Sequence, residues 1–482
     1  MTMFDIVVIG GGPAGVTAAM RARELGATVA LIEREHMGGT CTNDGCVPTR
    51  VLAKAARLWR DADQLEDYGL STGKPELDFE KLMKRTQQIV YTIHEKKQLI
   101  DHLTKSGVTP VVGAGSARFI DPHTIILPDG QKVEGDKFIL CAGGRARRID
   151  FPGAEYALTH SDVWSLKKLP KSIAIVGGAA TGCQLASIFN AFGTQVSILE
   201  LAPKLLRIED DIVTETIETA FVKSGIEIIT GISGVERIER TPDGTELFYT
   251  FQGEVRGLMA EAIFLSTGWL GNLDPLNLTA AGVEVNRNYV RVDDFLQTSA
   301  PHIFAAGDIT GRMMLVQSAG YEALAAAENA VLGVGNRQRH TIVPHGGFTD
   351  PEYGSVGKTE AQARAEGDVV VATVPYADMD RAVIDDRMVG ACKLIVSREN
   401  HRILGAHVVG EQALEIVHVV AAGMTSDIWV EQLAELQFAY PTFTAIIGLA
   451  ARAIVRDLGV LPLAPEWRAL GKMNTSEWER RD

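Results

Sequence analysis

The sequence predicts an α/β protein with two separate dinucleotide-binding domains, and three observations carry this prediction. Residues 5–35 and residues 172–202 each read as a buried strand, a glycine-rich turn, an amphipathic helix and a second strand. The chain is also long. At 482 residues it exceeds what one hydrophobic core supports, and a rule of about 150 residues per domain suggests about three domains.

The composition is that of a globular protein without affinity for nucleic acid. Hydrophobic residues make up 46% of the chain and charged residues 22%, so every part can contribute to a core. A net charge of −14 disfavours nucleic acid and anionic membranes, because both attract clustered Lys and Arg. No apolar stretch reaches the ~18 residues of a membrane span, and the run Phe4–Ile9 leads into a glycine-rich turn instead of a cleavage site. We therefore expect a cytoplasmic protein.

The first βαβ unit has the full dinucleotide-binding pattern, DIVVIGGGPAGVTAAMRARELGATVALIERE. Gly10 and Gly12 let the backbone turn and approach a pyrophosphate, and Gly15 lets the helix pack against the strand. Glu33 ends the second strand, where a carboxylate can accept hydrogen bonds from both ribose hydroxyls. The unit therefore predicts a dinucleotide site.

The second unit, SIAIVGGAATGCQLASIFNAFGTQVSILELA, repeats this order with one change. It keeps three glycines and has alanine at the middle position: Gly177, Gly178, Gly182 and Ala179. Glu200 ends its second strand and favours NAD(H), because a carboxylate there repels the 2′-phosphate of NADP(H). Lys204 and Arg207 follow closely, so use of NADP(H) stays open. An internal duplication with one inactive site is the alternative interpretation.

Two of the five cysteines form a close pair just before a helical pattern. Cys41 and Cys46 are separated by four residues, and Pro48 suits the first turn of a helix. A thiol at a helix N-terminus is reactive, because the helix dipole and free amides stabilise the thiolate. We predict inert burial for the other three, Cys141, Cys183 and Cys392. We do not expect zinc at the pair, because no CxxC or His cluster supplies further ligands.

Three motifs resemble those of the pyridine nucleotide-disulfide oxidoreductases, the family of dihydrolipoamide dehydrogenase, glutathione reductase and mercuric reductase. The segment GGTCTNDGCVPTR is similar to the family's GGTCxNxGCxPSK, and IFAAGDITGRMMLVQSA is similar to its second flavin motif. The segment FTDPEYGSVGKTEAQA is similar to the start of its C-terminal interface domain. The resemblance covers nearly the whole chain.

The resemblance implies two Rossmann-like dinucleotide-binding domains, for FAD and NAD, and an α+β C-terminal dimerisation domain. The FAD domain is expected at residues 1–150 and 271–344, the NAD(P) domain at 151–270 and the dimerisation domain at 345–482. Family members are homodimers in which nicotinamide reduces flavin and flavin reduces the disulfide. In this chain Cys41 would attack the substrate and Cys46 would contact the flavin.

The resemblance also assigns the site residues. The catalytic positions it implies are Cys41, Cys46, Arg50, Gln184 and Tyr440. The FAD positions are Gly10, Gly12, Pro13, Ala14, Gly15, Glu33, Arg34, Gly39, Thr40, Ala117, Ala142, Gly143, Gly144, Asp308, Met314 and Leu315. The NAD positions are Gly177, Gly178, Ala179, Gly182, Glu200 and Gly268.

This chain departs from the family at its acid/base site. Family members carry HPxxxE near the C-terminus, whereas this chain has Tyr440 in place of the His and Ala445 in place of the Glu. A phenol titrates near ~10 and is a poor base at neutral pH, so turnover of lipoamide or glutathione should be slow. The histidine pattern of Glu415 and His418, three residues apart on a predicted helix, is more typical of a packed or surface histidine. We assign no catalytic base.

Two positions expected beside the flavin also differ from the family. The family's Lys is Arg50 here, and the Glu that pairs with it is Gln184. If the two side chains meet, the cation without its carboxylate should favour anionic reduced flavin or a Cys46 thiolate and raise the flavin potential. Ala180 replaces the aromatic residue that often covers the flavin, which leaves the nicotinamide face open to other acceptors.

Mercuric reductases share the tyrosine at position 440 but use a C-terminal cysteine pair, and the last cysteine of this chain is Cys392. Mercury handling through Cys41 and Cys46 is therefore expected to be inefficient. The leading hypothesis is an NADH-dependent flavoenzyme that reduces a disulfide, a metal ion or a small electron acceptor. The alternatives are a diaphorase or quinone reductase with non-essential cysteines, and a redox-sensing or assembly flavoprotein.

Overall fold

The computed structural model describes residues 3–71, 73, 75–242 and 244–460. The chain divides into two compact units. Unit 1 comprises Met1–Leu205 and Val222–Thr341, and unit 2 comprises Leu206–Phe221 and Ile342–Asp482. The end of the predicted dimerisation domain, from residue 461, lies outside the described residues.

The described ranges contain thirteen α-helices and twenty-three strands. The helices are α1 (Pro13–Glu24), α2 (Gly39–Asn43), α3 (Cys46–Asp61), α4 (Phe79–Lys97), α5 (Leu99–Lys105), α6 (Ala180–Ala191), α7 (Asp211–Lys223), α8 (Val316–Leu332), α9 (Glu360–Glu366), α10 (Asp380–Ile384), α11 (Ala413–Thr425), α12 (Val430–Glu435) and α13 (Ile446–Leu458). The strands are β1 (Met3–Ile9), β2 (Val29–Glu33), β3 (Val108–Val112), β4 (Arg118–Asp121), β5 (Thr124–Ile126), β6 (Lys132–Leu140), β7 (Gly144–Ala146), β8 (Ser172–Val176), β9 (Gln195–Glu200), β10 (Glu227–Thr230), β11 (Gly234–Thr241), β12 (Gly244–Phe251), β13 (Glu254–Ala260), β14 (Ala262–Leu265), β15 (Trp269–Gly271), β16 (Val285–Asn286), β17 (Tyr289–Val290), β18 (Ile303–Ala305), β19 (His345–Gly347), β20 (Tyr353–Gly357), β21 (Val369–Pro375), β22 (Ala391–Ser397) and β23 (Ile403–Val409).

The largest sheet of unit 1 contains the first predicted βαβ unit. Its strand order is β3-β2-β1-β6-β5-β4, and β18 pairs with β6. The central strands are parallel, with Val8 opposite Leu31 on one side and Ile139 on the other. These three side chains are fully buried, as expected of parallel strands covered on both faces.

A second parallel sheet of unit 1 contains the second βαβ unit, in the order β10-β9-β8-β14. Its strands place Ile175 opposite Ile198 and Phe264, all buried. A three-stranded antiparallel sheet, β11-β12-β13, belongs to the same unit. Both predicted βαβ units are therefore confirmed. The division of unit 1 into FAD and NAD domains stays a prediction, and the short strands β7 and β15, which pair antiparallel, lie next to its boundaries.

Unit 2 is built on one antiparallel sheet, β19-β20-β23-β22-β21. Helices α11 and α13 supply buried apolar residues such as Val417 and Ile447, which share a core with Leu394 and Val408 of the sheet. Helices packed on an antiparallel sheet form an α+β domain, as predicted. In the described ranges, no helix is both long and apolar enough to cross a membrane.

Candidate active site

The first glycine-rich turn brings three segments of unit 1 together. A Cβ atom on Gly10, whose φ is +112°, would lie 2.2 Å from the carbonyl oxygen of Cys141, and one on Gly15 would lie 1.7 Å from the carbonyl oxygen of Gly10. Both positions therefore require glycine. Helix α1 begins at Pro13 directly after Gly12, so its first amides can face an anion. This arrangement fits a bound pyrophosphate.

The acids that end β2 and β9 hold equivalent positions in the two βαβ units. Glu33 accepts hydrogen bonds from the amide of Gly11 at 2.6 Å and from the amide of Glu35 at 2.8 Å. Glu200 likewise accepts the amide of Gly178 at 2.6 Å and the amide of Ala202 at 2.8 Å. The sequence predicted that both acids end a strand, and they do. In the structure each carboxylate also accepts a hydrogen bond from an amide of its own glycine-rich turn.

Distant predicted FAD residues also meet in unit 1. A Cβ on Gly144 would lie 3.3 Å from the Cβ of Asp308, although the two residues are far apart in sequence. Asn272 was missed in the sequence analysis. Its side-chain amide donates to the carbonyl of Ala142 at 2.9 Å, and its backbone amide donates to the carbonyl of Gly143 at 3.0 Å. These contacts support one cofactor site formed by both predicted FAD segments.

Asp308 lies near a second acid that the sequence analysis missed. Burial, followed by repulsion from Glu322, raises the pKa of Asp308 to about 6. The fully buried Glu322 carboxylate accepts the amide of Gly307 at 2.7 Å and contacts His340 at 2.7 Å. Glu322 could have been noticed in the sequence only as an acidic residue within the alanine-rich helix α8.

The other predicted FAD residues lie around these segments. Arg34 follows β2 and pairs with Glu35 at 3.0 Å, Ala117 is buried in the core of the first sheet, and Met314 and Leu315 precede α8. Pro13 and Ala14 open α1, and Gly39 and Thr40 open α2.

The second glycine-rich turn repeats the backbone of the first in spite of its alanine. A Cβ on Gly177 would lie 2.3 Å from the carbonyl oxygen of Ser266, and one on Gly182 would lie 1.9 Å from that of Gly177. Ala179 precedes α6 with φ −83° and ψ −173°, against −75° and −175° for Gly12 at the same position in the first unit. These angles suit any residue, which explains why alanine is accepted there. The predicted NAD residue Gly268 accepts the amide of Arg147 at 2.8 Å.

Cys41 and Cys46 lie on two consecutive helices, the short α2 and the longer α3. Cys41 belongs to α2, and α3 begins at Cys46, as predicted. The carbonyl of Thr40 accepts the amides of Asp44 at 2.9 Å and Gly45 at 2.7 Å, which folds the intervening loop back on itself. Both cysteines carry free thiols, with Cys46 exposed and Cys41 partly buried.

The two thiols interact, and this interaction separates their acidities. A hydrogen bond from Cys41, helped by the amide of Cys46 itself, lowers the pKa of Cys46 to about 7. The same bond, together with burial, raises the pKa of Cys41, while the nearby Lys97 opposes this rise. The pair can therefore hold one negative charge near neutral pH, with Cys46 as the thiolate and Cys41 as its donor.

The remaining three cysteines are buried. Burial raises the pKa of Cys141 and of Cys392, the latter to about 12. The thiol of Cys183 donates to the carbonyl of Gly178 at 3.3 Å. These environments disfavour a thiolate, as predicted.

Arg50 and Gln184 lie on two helices that pack together. Arg50 belongs to α3 and Gln184 to α6, and Arg60 joins these helices by donating to the backbone carbonyl of Ser187 at 2.8 Å. The Gln184 amide donates to the carbonyl of Ala180 at 2.9 Å. The proposed effect of this pair on the flavin stays a prediction.

Tyr440 lies in unit 2, where its hydroxyl donates to the Asp380 carboxylate at 2.5 Å. This hydrogen bond and the charge of Asp380 raise the pKa of the phenol. On α11, Glu415 and His418 are both exposed, and the His418 ring contacts the carbonyl of Leu414 at 2.5 Å. These surroundings agree with the surface interpretation of His418.

Comparison with known families and proteins gives a consistent result. Residues 4–323 match the family model of pyridine nucleotide-disulphide oxidoreductases, and residues 343–451 match the dimerisation domain of the same family. A mercuric reductase of Lysinibacillus sphaericus is 31% identical over 461 residues, which cover 94% of this chain and 83% of that protein. A dihydrolipoyl dehydrogenase of Bacillus subtilis is 30% identical over 470 residues, which cover 94% of this chain and 98% of that protein.

Solved structures of one Escherichia coli protein also match. The HOCl-induced flavoprotein disulfide reductase RclA is 27% identical, with a TM-score of 0.83, and the match covers 93% of this chain and all of RclA. The Cu(II) complex of RclA is 28% identical, with a TM-score of 0.83, and that match covers 94% of this chain and all of RclA.

Proposed function

Since this chain belongs to the pyridine nucleotide-disulphide oxidoreductase family, we propose that it uses NADH and FAD to reduce a thiophilic metal ion through Cys41 and Cys46, with Cu(II) as the expected acceptor and Hg(II) as a slower one. The observation that carries the proposal is the placement of the two cysteines: Cys41 lies on α2, Cys46 begins α3, and the Thr40 carbonyl folds the loop between them by accepting the amides of Asp44 and Gly45. The pKa of Cys46, lowered to about 7, supports the proposal. Hg(II) and the Cu(I) that forms from Cu(II) are soft ions, which bind thiolate sulfur in preference to oxygen ligands.

The glycine-rich turns support the choice of cofactors. The first turn, with Gly12 and the open start of α1, would hold the FAD pyrophosphate, and Glu33 would contact its ribose. Bound FAD would supply two-electron transfer from the nicotinamide to the cysteine pair. Glu200 supports NADH, because its carboxylate is fixed at the edge of the second turn, where a 2′-phosphate would be repelled.

The state of Tyr440 favours a metal ion over a disulfide. Cleavage of a disulfide releases a thiolate that must be protonated, and the family uses a His-Glu pair for this step. Tyr440 offers a phenol whose pKa is raised by Asp380, so it is a poor proton carrier near neutral pH. Reduction of a metal ion requires electrons but no proton, so the substitution at position 440 does not block it.

The electron count closes for both metals. One NADH and one proton convert the Cys41–Cys46 disulfide into the dithiol and leave NAD⁺. The dithiol then reduces one Hg(II) to Hg(0) or two Cu(II) to two Cu(I), the disulfide forms again, and two protons are released to solvent. Similarity to mercuric reductases and to a protein that forms a Cu(II) complex supports this class of acceptor. The matched dimerisation domain supports a homodimer.

The test is anaerobic NADH-driven reduction of Cu(II), followed with a Cu(I)-specific chelator over many turnovers. We expect Cys41→Ser to lower the rate by about 10²-fold or more, because a serine hydroxyl can neither bind the metal ion through sulfur nor form the disulfide with Cys46. The control is Cys392→Ala, which removes a buried thiol in the core of unit 2. Full activity in Cys41→Ser would overturn the proposal in favour of direct transfer from flavin.

Two further measurements separate the alternatives. The protein is titrated with NADH and, separately, with NADPH. NADH should produce the long-wavelength absorbance of a thiolate-to-flavin complex at lower concentrations than NADPH does. Direct bleaching of the flavin would instead favour a diaphorase. The redox-sensing alternative predicts a partner protein whose binding changes when NADH is added.

A further inference from the structure

The loop between the two cysteines is attached to a distant turn through the side chain of Asp44. One carboxylate oxygen accepts the indole N–H of Trp164 at 2.8 Å, and the other accepts the hydroxyl of Ser161 at 2.6 Å. The same oxygen lies 3.3 Å from the ring nitrogen of His160. The indole N–H also contacts the backbone carbonyl of Asp44 at 2.9 Å. Backbone and side chain are therefore both held by one turn, residues 160–165.

The turn that holds Asp44 is itself fixed in unit 1. The His160 ring is 7% exposed and packs on Trp269, with 4.7 Å between ring centroids. Trp269 belongs to β15, where it pairs with Ala146 of β7, and its carbonyl accepts the hydroxyl of Tyr289 at 2.7 Å. The anchor therefore rests on two paired strands and not on a loose surface segment.

The other residues of the loop are held from a different direction. The Asn43 side chain contacts His94 at 2.7 Å, and Thr42 contacts Lys97 at 3.5 Å, both near the end of α4. Asp44 is thus the one residue between the cysteines whose side chain contacts the turn at 160–165, as far as the described part of the chain shows. The family motif leaves this position open.

We infer that Asp44 is a positioning residue that keeps the Cys41 and Cys46 sulfurs within bonding distance of each other. The inference rests on the proposed function, because it assigns a role to the redox pair. Contacts of Thr42, Asn43 and Asp44 restrain the loop from two directions, which limits the separation of the thiols and raises their effective concentration. Burial raises the pKa of Asp44, but the hydrogen bonds with His160 and Ser161 outweigh it and lower the pKa, which keeps the carboxylate charged and its hydrogen bonds strong.

The measurable consequence is the position of the thiol–disulfide equilibrium. When oxidised dithiothreitol reacts with the dithiol, one S–S bond breaks in the reagent and one forms between Cys41 and Cys46. Two electrons and two thiol protons pass to the reagent. Loosening the loop lowers the effective concentration of the thiols, so less of the protein becomes oxidised in the same buffer.

The experiment is equilibration of the full-length flavin-bound enzyme in dithiothreitol redox buffers without nucleotide, followed by alkylation and mass measurement. We expect Asp44→Ala to lower the equilibrium constant for disulfide formation about tenfold, equivalent to ~30 mV. Trp164→Phe should also lower this equilibrium constant. In the double variant, the change in the free energy of disulfide formation should be smaller than the sum of the two single changes, because Asp44 and Trp164 share one contact. Asp44→Asn, which keeps an acceptor for Trp164, should fall between wild type and Asp44→Ala.

The matched control is Asp67→Ala, which removes an exposed acid from the same unit. Bound flavin per chain and the melting temperature show whether each variant is folded. An unchanged equilibrium in folded Asp44→Ala and Trp164→Phe would overturn the positioning role and leave the proposed function standing. A wild-type protein that forms no disulfide in any buffer would instead overturn the proposed function.

Discussion

The Glu200 carboxylate accepts a hydrogen bond from the Gly178 amide at 2.6 Å, and Glu33 holds the Gly11 amide at the same distance in the first βαβ unit. The two acids thus have the same local geometry but, in our proposal, serve different nucleotides. This equivalence provides a matched pair of substitutions for testing nucleotide preference.

We predict that Glu200→Gln lowers the ratio of kcat/KM for NADH to kcat/KM for NADPH about tenfold, or about 1.4 kcal/mol. Glutamine keeps an oxygen that can accept the Gly178 amide, so the turn is retained while the charge that repels a 2′-phosphate is lost. Steady-state Cu(II) reduction with both nucleotides gives the ratio.

The control for this prediction is Glu33→Gln, which should reduce flavin retention and leave the nucleotide ratio unchanged. If both variants changed the ratio equally, Glu200 would have no special place in the choice of nucleotide.

Much of the fold of unit 1 was predictable because its signals are local. The strands β1 and β8 are short, largely apolar runs followed directly by glycines, and the turns at Gly10 and Gly177 leave no room for a Cβ atom. The acids at the ends of β2 and β9 follow at fixed spacing from these turns. Patterns of this kind are fixed by backbone sterics and burial, which a single sequence reveals.

Contacts between distant segments could not be predicted in the same way. Asp44 and Trp164 are 120 residues apart, and only the tertiary structure brings them together. Residues Leu206–Phe221 also cluster with unit 2, which the sequence analysis did not anticipate. There Glu209 accepts the Ser355 hydroxyl at 2.7 Å, and Asp210 pairs with Lys393 at 2.8 Å. Nothing in the spacing of these polar residues indicates their partners.

The hydrogen bond between the active-site thiols leads to a prediction about pH. The pKa of Cys46 is lowered to about 7, so its thiolate forms as the pH rises through 7 and is lost below it. The largest cause is the thiol of Cys41, so Cys41→Ala should raise the pKa of Cys46 toward the ordinary thiol value of about 8.5. The measurement is the rate of alkylation at Cys46 in the reduced protein as a function of pH, read by peptide mass.

The control for the pH profile is Cys392→Ala. Burial raises the pKa of the Cys392 thiol to about 12, so its removal should leave the Cys46 profile unchanged. An identical midpoint in wild type and Cys41→Ala would show that the thiol hydrogen bond does not set the acidity of Cys46.

Helix α8 carries two acids that differ in burial and therefore in their predicted contribution to stability. Glu322 is fully buried and contacts both the Gly307 amide and His340, so Glu322→Ala leaves these groups without their partner. We predict a loss of about 3–5 kcal/mol in the free energy of unfolding. Glu328, on the same helix, pairs with Arg21 at 2.7 Å where both side chains are partly exposed, so Glu328→Ala should cost about 0–1 kcal/mol. Urea unfolding of the flavin-bound protein measures both values, and equal losses in the two variants would contradict the role of burial.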